Sequence, residues 1–265
     1  MKLRIISNKD IAFCIWLRNL VNNKRWPWIG RDFVGTVPRG LLEGAAEFSY
    51  PPIQSFSFEK HPLEDFDNYS SKFKGFIKKV EKIHSKEWRK YEKDLRSGKK
   101  FLSKTIKKYG DFIIKTISKT SKNKWRFSEI WFVPVIYAGG TVVGNKVFVG
   151  CNNRTEDKFL NLIIHESFHV NEPPREEMEK FTKNFRLPRD SREIATVLMT
   201  NKVINRLNKK FKINLPPQNF HSYFREAIVK FQPGLYKLAE NSKSFYSLIK
   251  SVDDFLSKKG YKGYY

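Results

Sequence analysis

The residues best able to do chemistry are His165-Glu166-Ser167-Phe168-His169. On an α-helix, positions i and i+4 lie one above the other, so the two imidazoles can grip a single cation. Glu166 sits about a hundred degrees around the helix from His165. There it can reach a water on the open side of the ion without being a ligand itself. Such an arrangement suits metal-assisted hydrolysis. A zinc ion acidifies its water and polarises a carbonyl, while Glu166 takes the proton and passes it to the leaving amine. Chance would place the pattern in about one chain of this composition in a hundred. The run around it (Phe159, Leu160, Leu162, Ile163) is amphipathic, and two His and a Glu on a half-buried helix are costly to keep for packing alone.

Catalytic zinc usually keeps three protein ligands and one open position. Glu193, 24 residues after His169, is the expected third. Asp190-Ser-Arg-Glu-Ile-Ala-Thr196 opens a helical run that continues through Val197, Leu198, Val203, Ile204 and Leu207. The intervening chain has room for a turn at Pro173-Pro174 and a short helix. Ala195 and Thr196 are small enough for two helices to pack closely. The alternatives are Glu172, Glu176, Glu177 and Glu179. Glu172 lies on the His side but nearly a turn past His169, better placed to bind a group behind the ligands, or solvent. The other three read as the acid-rich first turn of the next helix. A donor to the developing oxyanion is expected from His221 or Tyr223. An extended peptide is expected to add to the strand before the active helix, along Val147, Val149 and Gly150.

The pair of His followed some twenty residues later by a helical Glu resembles the gluzincins, the thermolysin-like branch of the zincin metallopeptidases. The resemblance covers about residues 130–210. It implies an α+β domain with a small mixed or antiparallel sheet, an active-site helix beneath an edge strand, and a second helix delivering the carboxylate. It implies zinc held by His165, His169 and Glu193, with Glu166 as general base and a peptide or protein as substrate. Two departures stand out. Arg192 occupies the place of the usual Asn, and Val197 that of the Asp one turn later. The carboxylate that would orient a ligand His is then sought at Asp190. The metzincin pattern fails, because its Gly and third His would fall at Glu172 and Arg175.

Several elements must position these residues. A helix is expected at 9–22, amphipathic through Ile11, Cys14, Leu17 and Val21 and capped by Ser7 or Asn8. Residues 23–65, rich in Pro, Gly and aromatics, read as a long irregular segment that could cover a cleft. One helix is expected at 68–97 and another at 101–119. Two or three antiparallel strands follow, at 130–137, 141–143 and 146–149, with Pro134 marking an edge or bulge and Gly144-Asn145 a tight turn. Then come the active-site helix at 156–170 and helices at 175–184, 190–209, 219–231 and 235–258. The expected division is a mainly helical region 1–120 and a zincin-like domain 121–265.

Composition bounds the rest. The chain has 265 residues, 40% of them hydrophobic and 15% aromatic, which suits a globular protein. Its 51 Lys and Arg against 27 acids give +24, a charge that attracts polyanions. The cations run along the whole chain rather than in one tail, as in a Lys-rich surface. A basic nucleic-acid- or membrane-surface-binding protein, with a vestigial or structural metal site, is the reading from a different class. With only Cys14 and Cys151, no disulfide framework is signalled. Cys14 reads as a core thiol, although its thiolate could in principle block zinc. No signal peptide or transmembrane segment is seen, so a soluble cytoplasmic protein is expected.

Overall fold

The structure is a computed structural model describing residues 1–21, 70–136, 140–151, 155–172, 177–178, 180, 183–220 and 224–263. Its elements, in chain order, are β1 (Lys2–Ile5), α1 (Lys9–Val21), α2 (Ser71–Lys90), α3 (Glu92–Ser121), β2 (Glu129–Val135), β3 (Gly140–Val143), β4 (Lys146–Gly150), α4 (Glu156–Val170), α5 (Pro188–Phe211), α6 (Arg225–Asn241) and α7 (Phe245–Lys258). The protein is mixed α+β, mostly helical with one four-stranded mixed sheet of order β1-β2-β4-β3. The irregular segment expected at 23–65 and half of the helix expected at 175–184 lie outside the described residues.

Two compact units share the chain. One comprises Met1–Lys2, Thr105–Ile130 and Glu156–Tyr265; the other comprises Leu3–Lys104 and Trp131–Thr155. This division does not follow the expected 120/121 boundary: β3, β4 and most of β1 and β2 fall in the same unit as α1 and α2, and α4 in the other. The reason is hydrophobic. Val133, Val135 and Phe148 bury their side chains in the same cluster as the apolar residues of α1 and α2.

In this second unit α1 is not amphipathic, because Ile11 to Leu17 are all buried. A helix enclosed on every side needs no polar stripe in its middle. Asn8 caps it as expected, its Oδ1 accepting from the backbone N–H of Asp10 at 2.8 Å and of Ile11 at 3.1 Å. Helices α2 and α3 meet at Tyr91 rather than near Gly98. Even there the ladder continues, for Tyr91 N–H donates to the Glu87 carbonyl at 3.0 Å and Leu95 N–H to that of Tyr91 at 2.9 Å. Gly98 is accommodated inside α3 between buried Leu95 and Leu102, whose burial outweighs the roughly 1 kcal/mol a helical glycine costs.

The sheet also departs from expectation. β3 and β4 form the antiparallel hairpin, with Gly144 at φ +59° in its turn, but β2 runs parallel to β4. Pro134 does not need an edge. Trp131 N–H and the Val135 carbonyl bond toward β4, so by alternation the N–H that Pro134 lacks would face β1. On that side Ile6 N–H donates to Phe132 O at 3.0 Å, and β1 has already ended.

In the first unit α5 packs against α4, α6 and α7. Its start is fixed from outside the helix. Leu187 provides no side-chain cap; instead the Asp253 carboxylate of α7 accepts from Arg186 N–H at 3.0 Å, Leu187 N–H at 2.7 Å and Ser191 Oγ at 2.9 Å. A carboxylate there satisfies orphan N–H groups and complements the helix dipole. Pro188 fits the first turn, where no N–H is needed. Helix α6 runs through Pro233, and the break expected there falls at Ser242–Ser244. Ser244 and Ser247 form a reciprocal capping box that starts α7. Gly234 is required by close packing, since a Cβ on it would lie 2.5 Å from the Phe255 ring.

Candidate metal centre

Helix α4 forms as the sequence implies, from the acids Glu156 and Asp157 in its first turn to Val170. Its far end is clamped in place. Ser121 Oγ donates to Asn171 Oδ1 at 2.5 Å, and Asn123 Nδ2 donates to the Asn171 carbonyl at 3.1 Å. The clamp carries Glu172 to a fixed place just before Pro173-Pro174. Here α4 and the first turns of α5 supply the site, both within the first unit.

His165 and His169 turn their Nε2 atoms toward each other, 3.1 Å apart. A Glu193 oxygen lies 3.8 Å from the first and 3.6 Å from the second. These three residues form the only cluster among the described residues whose ligand atoms could share a metal ion. Two donors about 2.0–2.1 Å from a tetrahedral zinc would stand roughly 3.3 Å apart, so the observed separations bracket what that ion needs. Imidazole nitrogens and a carboxylate are also the donor types zinc takes. The site residues therefore fit a zinc ion.

What stands behind the rings supports the same conclusion. His169 Nδ1 meets Glu172 Oε1 at 2.7 Å and His165 Nδ1 meets Gln218 Oε1 at 3.0 Å. A carboxylate only accepts, so the His169 proton belongs on Nδ1, and the Gln218 oxygen places the His165 proton likewise. The two Nε2 lone pairs then face one another, a repulsive arrangement unless a proton or a cation lies between them. In the metal-free chain a second proton supplies the charge. Burial works against a charged His169 ring, but Glu172 and Glu193 more than offset it and hold the ring well above the ordinary imidazole range. Burial likewise opposes the Glu193 charge, and His169, His165 and Arg192 overcome it, leaving that carboxyl well below its usual range.

Arg192, at the first departure from the gluzincin pattern, joins the two carboxylates. Its Nε lies 3.7 Å from Glu172 and its Nη2 3.6 Å from Glu193. The attraction of Glu172 raises the guanidinium further above its usual value. Asp190, the expected orienting carboxylate, instead accepts from Tyr261 Oη at 3.1 Å. Burial, with the nearby Asp190, pushes that phenol up. The orienting role falls to Glu172, which sits in sequence where a group behind the ligands was weighed. Gln218 was not foreseen. It is held by Asn201, which accepts from the Gln218 N–H at 2.7 Å and donates to its carbonyl at 3.1 Å. The signal was a polar Asn201 in the middle of an otherwise apolar stripe of α5.

Glu166 is buried beside His165, 6% exposed. Glu177 is exposed. Glu176, Glu179, His221 and Tyr223 lie outside the described residues. The expected peptide-binding strand does not serve. β4 is an interior strand, paired along Lys146–Gly150 with β2 on one side and with β3 on the other over Lys146–Val149. Val147 and Val149 thus have no free edge to which a substrate could add. Cys14 and Cys151 are buried thiols, Cys14 within the hydrophobic cluster of the second unit. No helix among the described residues is long and apolar enough to cross a membrane.

No known protein family, characterised protein or solved structure matches the chain. The functional reading rests on the atoms of the site.

Proposed function

We propose that this protein is a zinc-dependent peptide hydrolase, with His165, His169 and Glu193 as metal ligands and Glu166 as general base. The observation that carries the proposal is the convergence of two Nε2 atoms and one carboxylate oxygen, each ring held from behind by its own acceptor. Zinc bound there would supply Lewis acidity, polarising a carbonyl and lowering the pKa of water. The chain's own contribution is placement and proton transfer. Glu172 and Gln218 fix the ring tautomers and orientations, which raises ligand basicity. Arg192 reaches both the Glu172 and the Glu193 carboxylates, and with the two rings it favours the ionised form of Glu193. Glu166 follows His165 on the same helix, where its carboxylate would accept a proton from water and return it to the leaving amine.

The test separates binding from chemistry. Wild-type protein loaded with zinc should contain about one ion per chain and cleave members of a fluorogenic peptide library. Glu166→Gln should keep the ion and lose at least about a hundredfold in rate. Retention of full hydrolysis by that variant, or no metal in the loaded wild type, would refute the proposal.

A further inference from the structure

The positive charge is not evenly spread. Residues 71–104, covering α2 and the first turns of α3 in the second unit, hold 13 Lys and Arg against 4 acids, or +9 of the chain's +24. Residues 225–258, a helical stretch of equal length through α6 and α7, hold 6 against 4. The excess is also ordered. Lys82, Lys86, Arg89, Lys93, Arg96 and Lys100 follow one another at alternating steps of four and three, and all six are exposed. With the backbone ladder continuing through Tyr91, this spacing keeps them on one face for roughly 27 Å at 1.5 Å per residue. The acids Glu81, Glu87, Glu92 and Asp94 fall outside that face at a hundred degrees per residue. Arg96 is reached by Glu92 at 3.7 Å, an exposed pair worth little. The opposite face carries Phe73, Ile77, Val80, Leu95 and Leu102, all buried.

We infer that this stripe is a docking surface for the phosphate backbone of nucleic acid. Its cations form a row along one helical face with a charge about every 5 Å, suited to a partner that presents phosphates in a regular line. A membrane surface is the poorer match. Helices that lie on bilayers insert an apolar face beside the basic one, whereas here the apolar face is committed to the core. Met1 is the one exposed large hydrophobic among the described residues. The stripe reads no bases, so binding would be independent of sequence. The inference does not depend on the metal site.

The experiment uses the full chain with a labelled mixed-sequence DNA duplex, followed by fluorescence anisotropy from 50 to 200 mM salt. Six phosphate contacts predict a log–log salt slope of about −5. Replacing Lys82, Lys86, Arg89 and Lys93 together by Gln, a good helix former at exposed positions, should bring the slope to about −2 and weaken binding at least ~30-fold at 100 mM salt. Replacing Lys237, Lys243, Lys250 and Lys258 by Gln removes the same charge elsewhere and should change affinity less than about threefold. Circular dichroism should show both variants folded. Equal losses in the two variants would reduce the effect to net charge and overturn the inference. So would an absence of duplex binding, or binding only to phosphatidylserine vesicles.

Discussion

His84 and His165 are almost equally enclosed, 1% and 3% exposed, yet the neighbours described around them differ. His84, in the second unit, sits among rings, with Phe13, Trp16 and Trp88 at centroid distances of 5.2, 5.4 and 5.6 Å. His165, in the first unit, faces another imidazole, a carboxylate and an amide oxygen. Polar burial follows the same division. Among the described residues, the buried polar side chains other than His84, Glu87 and Lys146 belong to the first unit. Burying ionisable groups without partners is costly, so a unit that gathers them must repay the cost through mutual pairing or a ligand. Burial of a histidine therefore says little by itself. What distinguishes a ligand is a ring anchored at one nitrogen with the other aimed at a second donor.

The sharpest way to break this contrast is to remove one histidine of each kind. His169→Ala should abolish stoichiometric zinc, with under about a tenth of an ion left per chain, because two donors remain where three are needed. His84→Ala should keep its zinc and lose about 3 kcal/mol of stability in urea unfolding, the cost of emptying a large aromatic site. Elemental analysis beside denaturation curves gives both readings. If His84→Ala also lost its metal while still folded, the contrast would be void. A smaller effect sharpens it. Glu172→Gln keeps the shape and a hydrogen bond to His169 but removes the charge, and zinc affinity should fall about 10–100-fold. Unchanged affinity in competition with a chelating dye would mean that Glu172 does not orient the ring.

How much of this was legible in the sequence differs between the same two regions. At the centre, the ligand set was set out by local spacing. His165 and His169 share a helical face whatever else the chain does, and Glu193 was reachable because 24 residues leave room for a turn and a return. The partners behind the rings were harder to see. Gln218 reaches His165 across 53 residues, and its loop is held by a single Asn201. The one signal, a polar Asn201 in an apolar stripe of α5, does not name its partner. The orienting carboxylate was unassigned, with Asp190 as a candidate, whereas side-chain reach brings Glu172 to His169. In the second unit, β1 was not anticipated, for a four-residue strand has too little alternation to read. The parallel pairing of β2 with β4 was missed because adjacent strands favour hairpins. The Lys-rich face of the α2–α3 run was visible in the sequence but reads as solvated surface, because periodicity alone does not separate an ordered row of cations from an ordinary polar face.

The smallest expected effect concerns pH and tests the electrostatics that separate the two histidine environments. In the metal-free chain His169 keeps its second proton well above the ordinary imidazole value of 6.5. The stability gained from that charged ring is thus complete below about pH 6.5 and is lost as pH rises through the raised value. Glu193 runs the other way. Its contribution is present above the ordinary 4.5 and is lost as pH falls through its lowered value. Between these limits an incoming ion must displace the His169 proton, so zinc affinity should climb about tenfold per pH unit from 6.5 upward and level off above the raised value. Glu172→Gln removes the leading attraction that retains the proton. Its affinity should therefore level off at lower pH than the wild type, in addition to being weaker throughout. Chelator competition at pH 6.5, 7.5 and 8.5 compares the two curves. Parallel curves would show that Glu172 does not hold the proton, leaving Glu193 alone to account for the raised ring.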